Sequence, residues 1–182
     1  MPLPALLRIV FLPVLILLVP AMAMQFTAEV AWGPGDFILA WLLLAGAGLA
    51  YHFGTRSAGP VAAKAAVALA VGAALMLVWA NLAVGLIGRE DHPANLLYVA
   101  VLFVGLAGTA RARLQPAGMA VAMAATAGLQ FIVPVIALAL WSSSITGDLL
   151  RMLAANTGFA LLFAGSALLF RHAAKVTPIH HP

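Results

Sequence analysis

The sequence predicts an all-α fold: a polytopic membrane protein, a bundle of six transmembrane helices with both termini cytoplasmic. Three observations lead there. The chain of 182 residues is 65% apolar and only 8% charged, where soluble domains carry about 25% charged residues. A soluble core of this length has no room for so much apolar surface, so the solvent must be lipid. Six runs approach or exceed the length of about 20 mostly apolar residues that a spanning helix needs. Finally, the charges sort by side. With the N-terminus inside, the inner segments hold Arg8, Arg56, Lys64, Arg111, Arg113, Arg171 and Lys175. The outer ones hold Arg89 and Arg151 with all the acidic residues: Glu29, Asp36, Glu90, Asp91 and Asp148. Seven basic residues against two follow the positive-inside bias.

The spans are expected at 6–24, 36–53, 61–88, 94–110, 117–141 and 149–170. Their connections are short, so consecutive helices are expected to be antiparallel neighbours within one domain, 1–182. The first span reads in two ways. Arg8, the apolar run 9–19, Pro20 and Ala21-Met22-Ala23 form the pattern of a secretory signal with an A-x-A cleavage site. An uncleaved anchor, kinked where Pro13 and Pro20 remove amide donors, is the other reading. The second span is flanked by Trp32 and Tyr51, whose rings suit the membrane interface.

The third span and the turn after it hold the richest polar chemistry. Asn81 is expected about two turns below the outer end of its helix. Gly85 and Gly88 follow at i+4 and i+7 on the same face. Small residues so spaced let a second helix approach, and an amide beside them can bond across the contact. Arg89, Glu90, Asp91 and His92 make a charged turn, Pro93 suits the first position of the next helix, and Asp91 is the better cap. Glu90, Asp91 and His92 read either as a periplasmic ligand site or as a capped hairpin held by an Arg–carboxylate pair. Three consecutive ligands diverge, so no metal site is expected. In the fourth span Asn95 and Tyr98 share a face.

The fifth span carries Gln130 and Pro134. The proline has no amide for the carbonyl of Gln130, so a hinge and a side-chain amide meet deep in the span. In the sixth, Thr146 or Asp148 starts the helix, and Asn156 with Thr157 lies about 12 Å in. Asn81, Gln130 and Asn156 are thus expected at comparable depths, as interhelical glue or as the lining of a polar cavity. A faint repeat pairs Gly54-Thr55 and Pro60 with Gly108-Thr109 and Pro116. Ala and Gly bias is the simpler account of it.

Some function classes drop out. The net charge of +4 comes from basic residues placed singly or in pairs at helix ends, not from a phosphate-binding block, so no nucleic acid is expected. Cys is absent, which removes thiolate chemistry and Cys-based metal sites. His52 and His172 sit at helix ends beside arginines, which suits the interface better than haem ligation. No cofactor and no catalytic residue is assigned. The leading expectation is a non-enzymatic accessory or assembly component of a membrane complex. Its partners would be the lipid bilayer and another membrane protein or a second copy. An oligomeric transporter or channel for a small neutral or cationic solute comes second, and an intramembrane enzyme with His92 as base third. The Ala-, Gly- and Arg-rich composition reads as bacterial, hence an inner membrane.

Overall fold

The computed structural model describes residues 3–27, 31–56, 58–141 and 149–176. Every long element among them is an α-helix: α1 (Leu3–Phe26), α2 (Pro34–Arg56), α3 (Val61–Val84), α4 (Leu97–Ala112), α5 (Pro116–Trp141) and α6 (Leu149–Val176). A 3-10 turn, Pro93–Leu96, leads directly into α4. All six helices, α4 taken with its leading turn, are long and apolar enough to cross a membrane. Glu29, Thr146, Asp148 and the His180–His181 pair fall outside the described residues.

Local chemistry explains the helix ends. At the start of α2 the Asp36 carboxylate accepts from the Gly33 amide at 2.8 Å. It also places a negative charge at the positive end of the helix dipole. Before α3, the Pro60 carbonyl accepts from both Ala63 and Lys64. Between α4 and α5 the backbone turns through two left-handed residues, Arg113 and Leu114. The half-buried Leu114 side chain packs on the core. α1 continues through Pro13 and Pro20, and α5 through Pro134, without interruption.

The third span corrects the sequence reading. α3 stops at Val84 rather than reaching 88. The Gly85 amide makes one last bond to the Asn81 carbonyl, and the backbone then swings to φ 65°, ψ 133°. Gly88 is also at positive φ, 66°. Both glycines are therefore turn residues, chosen for conformations that a side chain resists. They do not form a packing face of α3 with Asn81.

The chain packs as two compact units, 1–53 and 54–182. In the first, the Trp41 indole donates to the Val10 carbonyl at 3.2 Å, and Ile9 packs against Gly48. Burial is otherwise sparse there: Pro13 and Leu17 on α1, Ala40 and Ala45 on α2.

In the second unit α6 packs against both α3 and α5, and α5 packs against α4. Consecutive helices are neighbours for α4–α5 and α5–α6. The pair α3–α4 departs from that expectation, because the long connection after Val84 leaves them nearly out of contact. Small residues permit the close approaches. A Cβ at Gly108 would lie 2.7 Å from that of Ala122, and one at Gly118 2.8 Å from that of Ala112. Across α3–α6 the Ser166 hydroxyl donates to the Ala66 carbonyl at 2.9 Å. The buried stripe of α5 runs Met119, Met123, Thr126, Gln130, Val133 and Ala137, at the three- and four-residue spacing of one helix face. Outward faces carry large apolar side chains such as Phe103, Leu106, Val121 and Leu150.

Candidate functional site

The candidate site is a buried amide cluster joining α4, α5 and α6, beneath a folded loop. Among the described residues, five buried side chains are polar: Asn95, Thr126, Gln130, Asn156 and Ser166. Thr126 donates to the Ala122 carbonyl of its own helix at 2.9 Å, and Ser166 is the α3–α6 tie. Gln130 and Asn156 make the cluster with Tyr98, and Asn95 builds the loop above it.

Asn156 is the hub. Its amide nitrogen donates to the Met152 carbonyl one turn back at 2.8 Å. A main-chain carbonyl can only accept, so this bond fixes which way the amide faces. Asn156 Oδ1 then accepts twice at 2.9 Å, from the Tyr98 hydroxyl and from Gln130 Nε2. Gln130 must direct its nitrogen at that oxygen, which leaves Gln130 Oε1 aimed elsewhere. That atom is buried and accepts from no protein donor. Pro134 has no amide to offer the Gln130 main-chain carbonyl one turn earlier. The cluster holds no ionisable carboxylate or amine. It can bind helices together and present a carbonyl oxygen.

Asn81 stands apart from this cluster. It lies in the last turn of α3, three residues from Val84, or about 4.5 Å from the helix end. The expected depth of two turns assumed a longer helix. The α3–α6 contacts between Ala66 and Ser166 and between Leu69 and Gly165 set an antiparallel register. Asn81 Oδ1 is buried and without a protein donor. Gln130 and Asn156 come together as the sequence reading expects; Asn81 bonds to neither.

The loop after α3 is built around Asn95. Its Oδ1 accepts from the Ile87 amide at 3.0 Å, and its Nδ2 donates to the Arg89 carbonyl at 2.7 Å. Ile87 is thereby held fully buried. His92, rather than Asp91, caps the 3-10 turn: its Nδ1 accepts from the Ala94 amide at 3.2 Å. The His92 ring meets Trp141 edge-on, with centroids 6.3 Å apart. Pro93 occupies the first helical turn as expected. Although Asn95 and Tyr98 are three residues apart and both buried, Asn95 serves the loop and Tyr98 the cluster.

The Arg–carboxylate pair does not hold this loop. Arg89 Nε and Asp91 Oδ1 are 3.9 Å apart, with side chains 82% and 77% exposed. Such a pair is worth little in water. Arg89→Gln should leave the unfolding free energy within about 0.5 kcal/mol of wild type. Asn95→Ala strands the Ile87 amide and should cost about 2 kcal/mol. Equilibrium unfolding in mixed micelles compares them, and equal losses would return the loop to the ion pair. Glu90 is also exposed at the tip. No group of three or more His, Asp or Glu suited to a metal occurs among the described residues.

Two contributors escaped the sequence reading. The pairing of Tyr98 with Asn156 spans 58 positions, and nothing local announces it. Ser166 lies in an Ala-, Gly- and Leu-rich stretch that reads as plain apolar helix. Comparison with protein families, curated proteins and solved structures finds no match.

Proposed function

We propose that this chain is a multi-pass protein of a bacterial inner membrane, with both termini cytoplasmic, and acts as a non-enzymatic accessory or assembly component of a membrane complex. The observation that carries the reading is the uneven use of apolar surface. α5 buries nine residues within the chain, while α1 and α2 bury two each. Yet α1 is a 24-residue helix long and apolar enough to cross a membrane. Helices so apolar and so sparsely packed are suited to lipid and to a partner's helices, where small residues and van der Waals contact drive association. Among the bundle's amides Gln130 and Asn156 bond to each other and Asn95 to the loop backbone, as expected of a scaffold rather than of an open path.

Native mass spectrometry after gentle extraction from the source membrane tests this. A stable mass with a second protein is expected. A homo-oligomer, or a bare monomer at several detergent strengths, overturns the accessory reading. The homo-oligomer favours the second reading, a transporter for a small neutral or cationic solute. The observation in favour of that reading is the buried, unpaired acceptor Gln130 Oε1.

Threading is tested separately. The chain has no Cys, so each introduced thiol is unique. In intact inverted-membrane-free cells, Asp91→Cys should react with an impermeant maleimide, and Arg171→Cys only after permeabilisation. The reverse pattern would turn the bundle over.

A further inference from the structure

We infer that Gln130 Oε1 is the anchor of a binding site for one small hydrogen-bond donor, a water molecule or a primary ammonium, inside the end of the bundle where α3 stops and α6 begins. This goes beyond the accessory reading and does not depend on the partner.

The argument is one of donor and acceptor balance. Met152 O fixes the Asn156 amide, Asn156 Oδ1 fixes Gln130 Nε2, and Gln130 Oε1 is left facing away from the protein's donors. Turning the Gln130 amide over would set two carbonyl oxygens against each other at 2.9 Å, so the assignment is not free to flip. Gln130 is 0% exposed, and buried polar atoms in folded proteins find partners. A second buried acceptor without a protein donor, Asn81 Oδ1, lies in the last turn of α3. Both are carbonyl oxygens. A ligand there must bring donors: O–H groups, or the N–H groups of an ammonium. The set is also distinct from the loop above it, whose Asn95 uses both its amide atoms.

The test uses full-length protein in lipid nanodiscs with 15N-labelled glutamine. The chain has three glutamines, Gln25, Gln115 and Gln130, and the first two are exposed. Gln130→Met assigns the buried carboxamide; if it does not fold, Gln25→Glu and Gln115→Glu assign it by elimination. The buried carboxamide protons should give a cross-peak either to water or, on titration with methylammonium chloride, to the methyl group with a saturable shift. A water cross-peak that methylammonium leaves untouched assigns an internal water. A saturable methylammonium shift at that carboxamide assigns an ammonium site. A buried carboxamide that contacts neither overturns the inference.

Discussion

Asn156→Leu should destabilise the bundle by about 2 kcal/mol, and Ser166→Ala by only about 0.6 kcal/mol. The side chains differ in how many partners they strand. Asn156 receives two buried donors, the Tyr98 hydroxyl and Gln130 Nε2, from two other helices. Leucine fills similar space and leaves both donors without an acceptor, each at a cost near the lower end of the usual 1–3 kcal/mol. The lower end applies because a chain unfolded within a membrane still finds partners for its polar groups. Ser166 makes one bond, to the Ala66 carbonyl, and its loss should match the average interhelical bond in a bilayer. Tyr98→Phe removes a donor rather than an acceptor and leaves Asn156 Oδ1 with Gln130. It should cost no more than Ser166→Ala, and in an Asn156→Leu background it should recover about 1 kcal/mol by removing the stranded hydroxyl. Reversible unfolding of the four variants in one mixed-micelle series gives the cycle. Additive losses at Tyr98 and Asn156 would mean that they are not coupled, and the amide hub would fall.

Gly85→Ala should cost about 3 kcal/mol and release the loop. A Cβ at Gly85 would lie 2.6 Å from main-chain atoms of Arg89 and Glu90, at φ 65°. The obstruction is backbone, so no rotamer relieves it, and the φ, ψ pair is itself costly for an L-residue. The strain should spread to Asn95 and Ile87, raising hydrogen exchange of the Ile87 amide. Gly128→Ala is the control. Gly128 is helical, and nothing lies within 4 Å of its added methyl. That change should be neutral or stabilising by up to about 1 kcal/mol. If both variants behave alike, Gly85 is an ordinary helix glycine and the end of α3 is misplaced. With Gly85 in its turn, loss of a membrane complex on bulky substitution there would follow from a broken loop rather than from a blocked helix face.

The sequence by itself determined the helices. Six apolar runs and their charged flanks locate every long element, because hydropathy and length are local properties and each helix satisfies its own backbone. It also picked out Asn95, Gln130 and Asn156, which the fold buries, since a polar side chain within an apolar run is costly. It could not say which helices touch or which amides meet. Gln130 and Asn156 are 26 positions apart, Ser166 and Ala66 100, and membrane helix pairing is set by shape and small-residue contact rather than by pattern. Nor could it settle Gly85 and Gly88. Glycine fits both a close helix contact and a positive-φ turn, so the same letters serve either structure. Only the tertiary fold decides: Asn95 ties the Ile87 amide and the Arg89 carbonyl to the start of α4, and a loop so tied requires the chain to leave its helix at Val84.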